Sequence, residues 1–252
     1  MLLGAVLVLA ACQPPAVLTA DGDDTYKFTS GPTPDTMQVS APTSNTDSNL
    51  RMVWWDPDSK EVIDGTSCAT WSTQSNVGDQ QGVALRISFN FPDHQVHAVT
   101  VTKNIWLGAV WIFNAHVWDG PQLSTIGGVN LQSVFDPSGD PAMPLPLPWN
   151  ICARTTGNTL SFIAWPSAEP QPAWGDTTHG GSWTLPTGWS YKGYSGSYVG
   201  HLRPGDRALY TNLKTSDGPG GSIATHYVRD RRWPAAMSSS RSDQSSGLSS
   251  TT

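Results

Sequence analysis

At 252 residues the chain has room for one large or two small domains, and one all-β sandwich of this size is routine. Only 13% of its residues are charged and the net charge is −6, so it lacks the clustered Lys and Arg that nucleic acid or an anionic lipid surface requires. Gly (24), Pro (20) and Trp (12) are plentiful, while Glu occurs only at Glu61 and Glu169; this balance disfavours helices and reads as short strands joined by turns.

The chain opens on MLLGAVLVLAAC, an apolar stretch of signal-peptide length and well short of the roughly 20 residues a spanning helix needs. It ends in Leu9-Ala10-Ala11-Cys12, which resembles the lipobox of bacterial lipoproteins. That resemblance implies cleavage before Cys12, lipid attachment to its thiol, and export to the cell envelope with the lipid in the outer face of the membrane. An ordinary secretory signal with an incidental Cys is the competing reading. With Cys12 lipidated, Cys68 and Cys152 are left as a disulfide pair for an oxidising compartment. No zinc site is expected, because neither of these two has a second Cys or a His at ligand spacing.

Residues 13–50 are rich in Pro, Thr, Ser and Asp and are read as a mostly disordered tether. The folded domain is expected over 51–228. Within it, GVALRISF places Val83, Leu85, Ile87 and Phe89 on one face and Ala84, Arg86 and Ser88 on the other. VHAVTVT (96–102), NTLSFIAW (158–165) and RALYTNL (207–213) read as further strands; Leu160, Phe162 and Ala164 share one face of the second. Turn chemistry separates them at Phe91-Pro92-Asp93, Asp136-Pro137-Ser138-Gly139, Arg203-Pro204-Gly205-Asp206 and Ser216-Asp217-Gly218-Pro219. Residues 229–252 read as a disordered tail, with the basic run Arg229–Arg232 a solvated edge.

The stretch NIWLGAVWIFNAHVWDG (104–120) is expected to form one long strand. Its odd positions, from Ile105 to Val117, are all apolar and belong in a core. Its even positions end in Asn114, His116 and Trp118, a mixture suited to stacking on a sugar ring and fixing its hydroxyls. A single bulge would exchange the two faces beyond it. Arg86 joins this polar face if its strand is a neighbour. The fold class expected is an all-β, two-sheet antiparallel jelly-roll sandwich with few or no helices.

GNTLSFIAWPSAEPQPAWGD resembles a hairpin of concanavalin A-like (LamG-type) jelly-roll domains, with Gly157, Leu160, Trp165, Glu169, Pro170 and Trp174 in place. GSYVGHLRPGDRALYTNL resembles their closing strands. The whole chain is similar to actinobacterial surface lipoproteins. The resemblance implies a curved sandwich whose concave face binds a glycan, commonly with a Ca²⁺ ion at the rim. Trp165, Trp174, Trp183 and Trp189 cluster in a loop-rich region suited to forming a rim, which makes Trp165 a candidate ligand-binding residue. No EF-hand-like spacing supports calcium. The related family 16 glycoside hydrolases carry E-x-D-x-E, and neither Glu of this chain lies in that context. Hydrolysis would need two paired carboxylates, and a lyase could use His116 or His201 with Tyr198 or Tyr210 as base and acid. The expectation is therefore a monomeric, lipid-anchored envelope protein that binds a glycan, such as cell-wall arabinogalactan or a similar polymer, through Asn114, His116, Trp118, Arg86 and Trp165. A polysaccharide hydrolase or lyase, and a non-catalytic interaction module, are the alternatives.

Overall fold

The computed structural model describes residues 14–30, 36–93, 95–106, 111–139, 147–216 and 224–225. The expected signal sequence, Cys12, Arg229–Arg232 and the tail lie outside these residues. The first strands are short: β1 (Ala16–Thr19), β2 (Lys27–Ser30), β3 (Met37–Ser40) and β4 (Arg51–Trp55). Longer ones follow as β5 (Thr66–Gln74), β6 (Gln80–Ser88), β7 (His97–Lys103), β8 (Ile112–Asp119) and β9 (Gln122–Asn130). One helical turn, α1 (Gln132–Phe135), leads to β10 (Trp149–Thr156), β11 (Thr159–Pro166), β12 (Gly180–Thr184), β13 (Tyr194–Gly200), β14 (Arg207–Ser216) and β15 (Ala224–Thr225).

These strands form an all-β, two-sheet antiparallel sandwich of the jelly-roll kind. The front sheet has the order β1-β4-β13-β6-β7-β8-β9, and the back sheet β12-β11-β10-β5-β14-β3-β2 with β15 against β14. Consecutive strands β6 to β9 form a meander, whereas β13 inserts between β4 and β6 by pairing with both. Every strand pairing among the described residues is antiparallel, so one face of each sheet can pack inward while the other carries function.

The inward face of the front sheet supplies Met52, Trp54, Val83, Leu85, Val99, Val101, Phe113, Ala115, Val117 and Val199 to the core. The back sheet answers with Ala69, Trp71, Trp149, Ile151, Ala153, Leu160, Phe162, Ala164 and Tyr210. Leu160, Phe162 and Ala164 thus share the face that alternation assigned them. Aromatic rings fill the middle: Phe113 lies within 6.0 Å of the ring centres of Trp71, Phe135, Trp149 and Phe162. Cys68 and Cys152 stand opposite one another in the β5/β10 register and are joined as a disulfide, on the outer face of the back sheet beside Ile163 and Trp165.

Three expectations are corrected. The tether over 13–50 is not one, because its residues form β1, β2 and β3 and give Tyr26, Phe28, Met37, Val39 and Ala41 to the core. Four-residue runs such as MQVS, with alternating burial, suffice for short strands between Pro-rich connectors. The stretch 104–120 is not one long strand: the Asn104 amide donates to the Ile112 carbonyl at 2.7 Å, and only Ile112–Asp119 pair as β8, antiparallel to β7. Its residues 107–110 lie outside the described ones. Finally, the β6/β7 register shifts between Leu85 and Ser88, with Arg86 at φ 51° in the left-handed region. The bulge moves Ile87 out of the main core, where Val83 and Leu85 remain, to the cluster on the opposite face.

Candidate functional site

The strand registers set a row of outward positions across the front sheet: Arg51, Val53 and Trp55 on β4; Gly200, Tyr198 and Gly196 on β13; Gln80, Gly82 and Ala84 on β6. Thr102, Thr100 and Ala98 follow on β7, then Asn114, His116 and Trp118 on β8. Alternation therefore placed the last three on one face correctly, even though the strand carrying them is shorter than expected. Large side chains bend over small ones here. Gly82 leaves room for Tyr198, since a Cβ at that position would stand 3.1 Å from the Tyr198 Cδ1 and 2.7 Å from the Val101 carbonyl oxygen.

This face is bound together by its own polar groups. The Tyr198 hydroxyl donates to Gln80 Oε1 at 2.6 Å, and Gln80 Nε2 donates to the Lys103 carbonyl at 2.9 Å. Trp118 Nε1 donates to Thr100 Oγ1 at 3.0 Å, so its ring packs down on the sheet and is only 1% exposed. Burial holds the Tyr198 hydroxyl well above the ordinary phenol range, which keeps it a neutral donor. Arg51 donates from Nη1 to Thr19 Oγ1 and Asn49 Oδ1, and its guanidinium carbon sits 5.7 Å from the Trp118 ring centre.

His116 is the exception to this mutual satisfaction. It is 7% exposed, its ring meets Trp118 edge-on at 6.3 Å, and its Nδ1 has no hydrogen-bond partner among the described residues. Burial first, and the Arg51 charge second, lower its pKa to about 4, so the ring is neutral at physiological pH.

Where β4, β13, β6 and β7 meet their loops, the same end of the sheet opens into a cleft of about 660 Å³. Its walls include Ser48, Gly78, Ile105, Trp106, His201 and Arg203. Trp106 is 73% exposed, and its amide is pinned by Asn104 Oδ1 at 2.9 Å. Across the cleft, His201 adopts φ 58° and its Nδ1–H donates to the Ser48 carbonyl at 2.9 Å. Burial and the Arg51 charge lower the His201 pKa.

A buried cluster shapes the cleft from beneath. Asp79 accepts the Ser75 and Asn76 amides on Oδ2 and the Asn76 side chain on Oδ1, fixing the loop before β6. Desolvation raises its pKa to about 7. Lys103, fully buried, donates to the Val77 carbonyl at 3.1 Å, and desolvation lowers its pKa to about 7. Asp206 joins through Asn76 Nδ2 and through the Arg203 amide, at 3.1 Å, on the facing loop.

The other residues expected from the sequence do not converge here. Arg86, 1% exposed, donates to the carbonyls of Ile63, Trp189 and Gly157, holding loops at the edge of the sandwich. The bulge and positive φ at Arg86 turn it away from the outward row. Trp165 is buried on the far face of the other sheet, against the disulfide and Trp174. Trp106, at an even position of the expected long strand, was not singled out from the sequence, although it is the exposed aromatic ring on the cleft wall. Among the described residues, Asp93, His97 and Asp119 are the group whose ligand atoms lie close enough for a metal. Each His97 ring nitrogen already faces a carboxylate oxygen, Nε2 toward Asp93 at 3.1 Å and Nδ1 toward Asp119 at 3.2 Å, which is the geometry of a histidine held between two acids.

No family model matches the chain, and no curated protein matches it. Among solved structures it is similar to the carbohydrate-binding module CBM66 from Bacillus subtilis: TM-score 0.47, 9% identity, 81% of this chain and 95% of that one. It is also similar to the VIP36 exoplasmic/lumenal domain in its Ca²⁺/Man-bound form, at TM-score 0.42 and 10% identity over 82% of this chain and 91% of that one. A protein of unknown function with a galectin-like fold from Bacillus subtilis gives TM-score 0.42 and 10% identity, over 84% of this chain and 98% of that one. At such identities no site residue is carried over, and the likenesses are of fold.

Proposed function

We propose that this protein binds a glycan at the front-sheet cleft, without catalysis, as an exported and lipid-anchored component of a cell envelope. The observation that carries the reading is Trp106, a large aromatic ring left 73% exposed on the wall of a cleft of about 660 Å³. An indole at a surface normally seeks cover, and a sugar ring offers apolar C–H surface to stack on it with hydroxyls at the rim. Ser48, His201 and Arg203 stand on the other walls to meet those hydroxyls. The disulfide supports export, since such bonds persist in oxidising compartments.

Binding is preferred to hydrolysis because the carboxylates near the cleft are engaged in holding backbone. Asp47 accepts the amides of Asp21, Gly22 and Asn49, and Asp79 is sealed below the floor. Covering on the order of 100 Å² of the Trp106 ring is worth roughly 2 kcal/mol at ~25 cal/mol per Å², or about 30-fold in Kd. The test is a screen of neutral and acidic envelope oligosaccharides, with binding and product release followed together. Trp106→Ala should lower affinity by that factor while leaving the urea midpoint unchanged. Release of shortened product would establish an enzyme instead, and absence of binding to every glycan would favour a protein-interaction module.

A further inference from the structure

We propose that the glycan is acidic, and that a carboxylate on one of its sugars is held by Arg51 on the outward face of the front sheet, with His116 as a second contact. This rests on the glycan-binding reading above, extends that site from the cleft onto the adjoining outward row of the front sheet, and names its substrate class.

Two independent features point to the same ligand chemistry. Arg51 is half-buried, and its protein acceptors are neutral oxygens, Thr19 Oγ1 and Asn49 Oδ1. Every salt bridge among the described residues involves His97 or His179, so this guanidinium has no carboxylate partner there. A partly desolvated cation without a counter-ion is costly, and a planar carboxylate fits its fork in bidentate fashion. Independently, His116 carries on the same face a buried Nδ1 with no partner among the described residues. An orphaned buried polar atom calls for an occupant with a complementary group.

The charge distribution agrees. None of the outward positions of β4, β13, β6, β7 and β8 is Asp or Glu, so an anion entering there meets no like charge. The acids at the cleft end are occupied: Asp47 by three amides, Asp24 by the Thr46 amide and Asp21 by the Ser48 hydroxyl. Arg51 couples the two histidines, since its charge lowers the pKa of both His116 and His201. Neutralising that charge with a bound carboxylate would relax both. Asn114, half-buried, stands two residues before His116 on the same strand and adds an amide to this row.

The probes are oligogalacturonate, its methyl ester, a neutral galactose oligomer of the same length and a sulfated galactose oligomer, each titrated calorimetrically against the whole chain. The expected result is binding of the uronate at least tenfold tighter than its methyl ester, weakening as salt rises. Arg51→Gln should abolish that preference while Trp106→Ala weakens all binding alike. Because Arg51→Gln could disturb folding, the His116 ring resonances of the wild-type protein provide a second readout. Its pKa should rise on adding uronate and stay put on adding the methyl ester. Tighter binding of the sulfated oligomer than of the uronate would overturn the assignment to a carboxylate. Equal affinity for charged and neutral sugars, still lost in Trp106→Ala, would overturn the acidic-glycan inference and leave glycan binding standing. Failure of every sugar to bind would overturn both.

Discussion

Acid should weaken this protein through His116. The ring is neutral when folded because burial, reinforced by Arg51, lowers its pKa from 6.5 to about 4. Above pH 6.5 neither the folded nor the unfolded chain holds a proton on this side chain, and it has no effect on stability. Below that, the unfolded chain takes up a proton that the folded chain refuses until about pH 4. The native state therefore loses stability across this window, by about 1.4 kcal/mol per pH unit and roughly 3 kcal/mol in all. With 7% of the residue exposed, solvent screening does little to reduce that figure. Urea unfolding of the wild type and of His116→Gln at pH 7.5, 6, 5 and 4.5 isolates the effect, since all other acid-sensitive groups are common to both. The wild type should lose 2 to 3 kcal/mol more than the variant over this range, at roughly the slope just given. Parallel loss in both proteins would show that His116 is protonated in the fold, and would refute the reasoning.

The disulfide gives a second test. Cys68 and Cys152 are 84 residues apart in sequence and face one another across β5 and β10. A loop of that size corresponds to roughly 4 to 5 kcal/mol in the chain-entropy model, so the Cys68→Ser, Cys152→Ser double variant should lose about 2 to 5 kcal/mol of unfolding free energy. Identical urea midpoints for the oxidised and doubly substituted proteins would contradict this. For the proposed anchor, a palmitate analogue fed to cells should label the protein, and Cys12→Ala should remove the label; retention of label in that variant would refute attachment at Cys12.

How much was legible in the sequence follows from what sets each feature. Strands β6, β7, β11 and β14 were readable because their side chains alternate and their flanking turns carry Pro, Gly and Asp. The face of Asn114, His116 and Trp118 was readable for the same reason, since period-2 alternation survives even when the strand's start is misplaced. The bulge at Arg86 was not, because a one-residue irregularity leaves composition and pattern nearly unchanged while swapping everything beyond it. Nor could the sequence sort its tryptophans. Trp106, Trp118 and Trp165 all lie in or beside apolar runs. What separates them is tertiary: a loop wall, a hydroxyl that pins a ring to its sheet, and a disulfide on the opposite face. Strands β1 to β3 were missed because four-residue strands carry too few positions for a pattern, and the surrounding Pro, Thr and Asp resemble a linker.

The early start of β1 changes how an anchored copy would stand on a membrane. Were Cys12 lipidated, only residues 13–15 would separate it from Ala16, a reach of at most about 14 Å and no flexible stalk. β1 then runs toward the cleft, because Ala16 pairs with Val53 while Thr19 pairs with Arg51, beside Asn49 and Ser48. A short leash entering at one end of the front sheet holds that end against the bilayer and turns the cleft outward. Such a protein would not sweep a volume in search of its polymer; it would present a fixed mouth to whatever strand of the envelope passes over it.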